Sequence, residues 1–185
     1  MLQERERLLY LIKTRAFKTG DFTLSSGKKS GYYLNGKIIT LDAEGAFLIA
    51  KILLKLLPIG ELDAFGGLTL GADPIVGAMT ALSYEQGSPI NGFIIRKAAK
   101  GHGTAALYEG PPLPAKAKVV VVEDVVTTGG SAFKAIEVLE EMGAEVKYVV
   151  CVVDRQEGGQ EAFEKKGLQF ISIFNKDEIL DSLTR

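Results

Sequence analysis

Hydrophobic positions along this chain change their period several times, and each change marks a structural element. In residues 2–17 the apolar side chains at 8, 9, 11, 12 and 16 stand between charged ones, which predicts an amphipathic helix. Residues 21–35, DFTLSSGKKSGYYLN, place β-forming residues on both sides of a turn-forming SSGKKS, which predicts a hairpin. Residues 42–57 return to helical spacing and stop at Pro58. Beyond that point short apolar runs alternate with helical stretches. Strands are expected at 62–67, 91–96, 118–123, 146–154 and 169–174, and helices at 73–86, 132–142, 160–166 and 176–183, with 101–113 as loop. Such alternation argues for an α/β fold, a mostly parallel central sheet flanked by helices and wound by right-handed crossovers. The hairpin would form a hood over the C-terminal edge of that sheet. No internal repeat, low-complexity tract or linker interrupts the pattern, so residues 1–185 are expected to be a single domain, residues 1–40 supplying the N-terminal helix and hood.

Composition changes this picture mainly by exclusion. The chain is 46% hydrophobic and 24% charged, ordinary for a globular protein with a sizeable core. A net charge of −1 gives no reason to expect a nucleic acid or an anionic membrane as partner. The one cysteine, Cys151, lies in an apolar run at 149–153, so an intramolecular disulfide is excluded and a small core residue is expected. The opening MLQERERLL carries too many charges for a signal peptide, and no apolar stretch is long enough to span a bilayer. The expected address is the cytoplasm.

Candidate chemistry concentrates in residues 119–131, VVVVEDVVTTGGS. The valine run is the signature of a strand buried on both faces of a parallel sheet. Glu123 and Asp124 then fall at the strand's C-terminal end, where open α/β sheets place their ligand crevice. After Val125 and Val126, the turn Thr127-Thr128-Gly129-Gly130-Ser131 leads into a helix. Free N–H groups at a helix start, glycines that permit close approach, and hydroxyls together suit a phosphate monoester. Two carboxylates repel such a phosphate but suit ribose hydroxyls or a hydrated Mg²⁺ nearby. There is no GxxxxGK[ST] and no GxGxxG after a strand, so a P-loop and a dinucleotide fingerprint are both excluded. A merely capped helix beside two solvated acids needs one hydroxyl, not three around paired glycines.

A second constellation follows the strand at 91–96. Arg96, Lys97, Lys100 and His102, the only histidine, precede a run of glycines and small residues. This is a poor core and a good arm for closing over a polyanion, although a lysine run by itself is as well explained as a solvated loop.

The acid pair followed by TTGGS resembles the phosphoribosyl pyrophosphate motif of the type I phosphoribosyltransferases. The loop RKxxKxHG, the hood FTLSSGKKSGYYLNGK at 22–37, GGLTLGADP at 66–74 and the tetrad Asp154-Arg155-Gln156-Glu157 narrow the match to the orotate phosphoribosyltransferase family. The resemblance covers residues 21–174. It implies transfer of ribose 5-phosphate from phosphoribosyl pyrophosphate to N1 of orotate, giving orotidine 5′-monophosphate and pyrophosphate, a step of pyrimidine synthesis. It implies Mg²⁺ as cofactor, held through pyrophosphate, ribose hydroxyls and water and not by protein ligands. It also implies a homodimer in which the loop 96–104 crosses the interface, Arg96, Lys100 and His102 acting in trans and Lys97 in cis.

On this resemblance Glu123 and Asp124 hold the ribose hydroxyls, and Thr127, Thr128, Gly129, Gly130 and Ser131 cradle the 5′-phosphate. Arg155 with Thr127 and the hood backbone around Tyr33 and Leu34 meets orotate; a structural salt bridge from Arg155 to Asp154 or Glu157 explains that residue equally well. For one of Tyr32 and Tyr33, hood packing is the expected role. His102 serves as proton donor to pyrophosphate or as a purely electrostatic partner. Two departures stand out: Ser25 and Leu70-Gly71-Ala72 replace positions where some members carry lysines. Lys28 or Lys29 is a candidate substitute for the first, and backbone N–H groups of residues 69–72 for the second. The rivals are a purine phosphoribosyltransferase, disfavoured by the hood and Arg155, and a regulatory sensor that binds phosphoribosyl pyrophosphate without turnover.

Overall fold

A computed structural model describes residues 1–23, 29–98 and 107–182. Helix α1 (Leu2–Leu11) continues through a wider turn at Ile12–Ala16 into an antiparallel hairpin, β1 (Phe17–Thr23) and β2 (Lys29–Leu34). The helix was expected to run to residue 17 and the hairpin to begin at 21. Phe17 belongs instead to the strand, its ring stacked on Tyr32 across the hairpin at 5.2 Å. Ala16 and Phe17 stay buried in the same core as Leu8, Leu11 and Ile12, so the apolar spacing ran on past the point where the backbone changed. The hood turn, with Ser25 and Lys28, lies outside the described residues.

Two helices, α2 (Lys37–Thr40) and α3 (Ala43–Leu56), lead to the sheet. Asp42 caps α3 by accepting from the Gly45 N–H at 2.9 Å. The remaining order is β3 (Ala64–Leu68), α4 (Asp73–Glu85), β4 (Asn91–Ile95), β5 (Tyr108–Glu109), β6 (Lys118–Val126), α5 (Gly130–Glu141), β7 (Glu145–Asp154), α6 (Gly159–Lys165), β8 (Gln169–Asn175) and α7 (Lys176–Asp181). The sheet runs β5-β4-β3-β6-β7-β8, all parallel except the short edge strand β5. Strand β5 falls inside a segment expected to be loop. It is tied down by the Tyr108 ring on Phe93 at 5.5 Å and by the Arg96 N–H bonded to the Leu107 carbonyl.

The valine run fills the middle of the sheet, with Val119 through Val122 all fully buried. Val120 and Val122 face a core shared with α1, α3 and α4, whereas Val119 and Val121 face α5 and α6. Burial on both faces is why four consecutive β-branched residues appear where an exposed-face strand would alternate. From β3 the chain winds outward to β4; it then returns to β6 on the other side of β3 and winds to β7 and β8. The neighbours β3 and β6 thus form the point where strand order reverses, and a crevice opens outside their C-terminal ends.

One boundary matters for the chemistry. Strand β6 was expected to end at Glu123, but its ladder continues through Val125↔Val153 and Val126↔Asp154. The apolar run of β7 reaches as far as Asp154 and supplies partners beyond the acids. Glu123 and Asp124 therefore stand inside the strand's last turn of pleat, on rigid backbone.

Candidate active site

The acid pair occupies the crevice floor. Glu123 lies opposite Cys151 in the β6–β7 register, is 4% exposed, and its Oε1 has no hydrogen-bond partner. Burial, and then the neighbouring Asp124 charge, push its carboxyl up to about 8, against the opposing pull of Lys37 and Lys97. At neutral pH Glu123 is thus mostly protonated, able both to donate to and accept from a hydroxyl group. Behind it, burial drives the Cys151 thiol well above its ordinary value, which suits a core residue and not a nucleophile.

Asp124 is gripped from three directions. Its Oδ1 accepts from the Val125 N–H at 2.9 Å, and Lys37 Nζ donates to its Oδ2 at 3.3 Å. On the opposite side the β3–α4 loop closes so tightly that a Cβ on Gly71 would stand 2.7 Å from Oδ1. In that loop the Thr69 N–H bonds to the Ile95 carbonyl and the Ala72 N–H to the Leu68 carbonyl. Of the four loop N–H groups proposed as anion donors, two are therefore committed to the fold. Those of Leu70 and Gly71 have no acceptor among the described residues. The Thr69 hydroxyl donates to Asp73 Oδ2 at 2.6 Å.

Past β6 the turn has the geometry its residues suggested. Gly129 adopts φ +83°, and a Cβ there would meet the Phe163 ring at 2.6 Å, so only glycine fits. Helix α5 starts at Gly130, directing the first-turn N–H groups of Gly130, Ser131 and Ala132 outward. Glu123, Val125, Val126, Thr127, Gly129, Gly130 and Ser131 border one small pocket, while Thr128 is exposed. Sequence reasoning placed these residues together, and the fold does so.

Arg155 is 9% exposed at the end of β7, with its N–H bonded to the Val126 carbonyl at 2.8 Å. Its guanidinium lies 4.9 Å over the Tyr32 ring, and its Nε stands 2.9 Å from Glu157 Oε1 without hydrogen-bond alignment. Asp154 turns away, accepting from the Gln156 N–H, so of the two expected salt-bridge partners only Glu157 pairs with Arg155. The hood residue that meets Arg155 is Tyr32. Tyr33 lies on the other side of the strand, 42% exposed and packed on Phe22, because successive strand residues point to opposite faces. Leu34 packs into the core beneath.

Of the basic loop, Arg96 pairs with Glu109 at 3.2 Å on the sheet edge, and Lys97 lines a groove of about 480 Å³ beside Ser131 and Lys134. Lys100 and His102 lie outside the described residues. Lys37 and Tyr32 are site-facing residues to which the sequence assigned no definite chemistry, and Gly71, expected to offer a backbone N–H, also closes on Asp124. Lys37 is the last residue of the quoted hood motif, and only its meeting with Asp124 brings it into the site.

Comparison with known proteins agrees with this geometry. A family model described as phosphoribosyl transferase domain matches residues 38–177. An orotate phosphoribosyltransferase of Synechocystis is 51% identical over 179 residues, 97% of this chain and 90% of that protein. One from Aquifex aeolicus is 48% identical over 97% of this chain and all of its own length. Among solved structures, the Mycobacterium tuberculosis orotate phosphoribosyltransferase in complex with phosphoribosyl pyrophosphate superposes with a TM-score of 0.79 at 34% identity, over 95% of this chain and 98% of that one. An adenine phosphoribosyltransferase from Leishmania tarentolae, 17% identical with a TM-score of 0.63, shares the fold alone. With the switch-point crevice, the phosphate turn and near-full-length similarity in agreement, this chain belongs to the phosphoribosyl transferase family and, within it, to the orotate phosphoribosyltransferases.

Proposed function

We propose that this chain transfers the 5-phosphoribosyl group of phosphoribosyl pyrophosphate to orotate, forming orotidine 5′-monophosphate and pyrophosphate for pyrimidine synthesis. The observation that carries this is the convergence, at one sheet switch point, of an acid pair with Glu123 buried and Asp124 half-buried, a hydroxyl-glycine turn opening a helix, and a nearly buried arginine under an aromatic hood. Thr127, Thr128, Gly129, Gly130 and Ser131 hold the 5′-phosphate by N–H groups and hydroxyls. Glu123 and Asp124 take the ribose hydroxyls, Glu123 in its protonated form. Arg155, oriented by the Tyr32 face, receives the carboxylate or a carbonyl edge of orotate, with Thr127 and the backbone at Tyr33 and Leu34 beside it.

In the reaction the C1′–oxygen bond to pyrophosphate breaks and a C1′–N1 bond forms, the N1 proton leaving to water. Negative charge grows on the departing oxygens while the ribose becomes cationic. Arg96, Lys97, Lys100 and His102 of the basic loop meet that growing charge, either of His102's two roles, proton donor or electrostatic partner, serving departure. Among the described residues no group of three or more His, Cys, Asp or Glu side chains forms a metal cage. The Asp124 carboxylate, at the mouth of the crevice, is a hard oxygen group that fits a Mg²⁺ held chiefly by the substrate and water. When bound, Mg²⁺ neutralises the diphosphate oxygens.

The same reading makes residues 1–185 one domain with the hood as its N-terminal part, working in the cytoplasm as a homodimer whose 96–104 loop crosses the interface. No helix among the described residues is long and apolar enough to cross a membrane. The test is loss of orotate absorbance when purified protein is mixed with Mg²⁺, phosphoribosyl pyrophosphate and orotate, with adenine, hypoxanthine and uracil as parallel acceptors. Consumption of orotate alone is expected. Turnover only with another base overturns the assignment of the hood and Arg155. Binding of phosphoribosyl pyrophosphate without turnover of any base supports a sensor instead.

A further inference from the structure

Among the described residues, Lys37 is the one cation paired to the acid pair of the crevice, with Nζ 3.3 Å from Asp124 Oδ2. It begins α2 directly after the hood strand, and Gly36 before it lets the backbone come close: a Cβ there would stand 3.1 Å from the same Oδ2. The Lys37 side chain is half exposed, so its ammonium can swing without disturbing the core.

Charge and space on the far side of Asp124 explain what the ammonium is for. The β3–α4 loop lies against Asp124, so it is within reach of the diphosphate of a phosphoribosyl pyrophosphate whose ribose hydroxyls sit on the acid pair. That loop, Thr69-Leu70-Gly71-Ala72, carries no cation. At Gly71 a Cβ would stand 2.7 Å from Asp124 Oδ1, so a side chain there would displace that carboxylate. Among the described residues the N–H groups of Leu70 and Gly71 have no acceptor, which leaves two dipoles open to an anion in a loop without a compensating charge. The turn at 127–131 is likewise free of lysine and arginine. Lys97 faces the crevice from the β4 side, in the groove with Ser131 and Lys134. Among the described residues only Lys37 approaches Asp124 from the hood.

We propose that Lys37 is a substrate-binding residue for the diphosphate of phosphoribosyl pyrophosphate. In the free protein its ammonium rests on Asp124. When the ribose hydroxyls engage that carboxylate, the ammonium transfers to the diphosphate beside Gly71 and supplies the charge the β3–α4 loop lacks. This deepens the reading above and rests on it.

The experiment titrates phosphoribosyl pyrophosphate, inorganic pyrophosphate and ribose 5-phosphate, each with Mg²⁺, into wild type, Lys37→Ala and Lys37→Arg by calorimetry, alongside steady-state KM values for both substrates. Lys37→Ala is expected to weaken phosphoribosyl pyrophosphate and inorganic pyrophosphate by about tenfold, the effect of one charge-assisted contact. Affinity for ribose 5-phosphate, which has no diphosphate, and the KM for orotate stay within about twofold of wild type, while Lys37→Arg recovers most of the loss. Equal weakening of ribose 5-phosphate, or a matching rise in the orotate KM, shows that Lys37 only holds Asp124 or the hood in place and overturns the proposal. So does an unchanged affinity for phosphoribosyl pyrophosphate. Failure of the underlying reading is separately visible, because wild-type protein would then neither bind phosphoribosyl pyrophosphate nor consume orotate.

Discussion

Replacing Tyr32 with leucine tests whether the hood orients Arg155 through its aromatic face. Tyr32 is the middle of a three-layer stack, with Phe17 at 5.2 Å and an interplanar angle of 10° on one side and the Arg155 guanidinium at 4.9 Å on the other. The Phe17 contact is worth about 0.5–1.5 kcal/mol beyond area burial. A cation held over a ring at a largely desolvated site adds about 1–2 kcal/mol. Leucine keeps much of the apolar volume but loses both, so a global destabilisation of about 2–3 kcal/mol is expected in a denaturant titration. Phenylalanine keeps both stacks and serves as the control. The functional effect is more specific than the stability loss. Among the described residues Arg155 then retains only Glu157 as a side-chain partner, with no aligned bond at Nε, and its fork is free to leave the orotate edge it is proposed to meet. The KM for orotate should rise by about tenfold in Tyr32→Leu, the equivalent of ~1.4 kcal/mol. Tyr32→Phe and the KM for phosphoribosyl pyrophosphate stay near wild type. If leucine and phenylalanine give the same orotate KM, the face of the ring does not position Arg155. A parallel rise in both KM values instead identifies a general loosening of the hood.

Two further predictions concern the crevice floor and the phosphate turn. Glu123 has its folded carboxyl raised to about 8, so the folded state binds more protons than the unfolded chain at pH values above the ordinary carboxylate range. Stability conferred by this group is complete in acid and falls as pH rises towards 8; a Glu123→Gln protein should gain relative to wild type over that interval, by a few kcal/mol on the order given by linkage, and level off above it. Thermal unfolding across pH 5–9 checks this, and a constant difference between the two proteins contradicts a buried carboxyl that ionises on the way. Gly129→Ala places a Cβ at φ +83° and 2.6 Å from the Phe163 ring, which should cost about 2 kcal/mol or more in a chemical denaturation curve and weaken phosphoribosyl pyrophosphate binding; full stability would mean the turn can relax without its glycine.

Much of this molecule is legible in its sequence, and the reason is that the legible parts are local. Four consecutive valines specify a strand covered on both faces, because nothing exposed on one side needs them. Paired acids followed by hydroxyls and glycines at a helix start specify phosphate and sugar chemistry through neighbours that are only a few residues apart. The β3–α4–β4 and β6–α5–β7 alternation follows from changes of period that any window of the chain reveals. Where local pattern misplaced a boundary, a distant partner had decided it: Phe17 left the helix for its ring contact with Tyr32, and β6 passed its acids because β7 offered partners up to Asp154.

What only tertiary structure decided depends on contacts between residues far apart in the chain. Nothing in the period of β3 or β6 says that they are neighbours, yet their adjacency creates the reversal of strand order on which the crevice depends. Lys37 meets Asp124 across 87 residues of chain, and Gly71 closes on the same carboxylate from the far side. Tyr32, not Tyr33, covers Arg155, because a shift of one residue along a strand exchanges its faces. The sequence by itself determined the elements and brought together the acid pair and hydroxyl-glycine turn proposed to bind ribose and phosphate, since both follow from spacing along the backbone. Which lysine, which tyrosine and which glycine complete the site was decided by the packing of strands and hood against one another, a long-range condition that no local pattern contains.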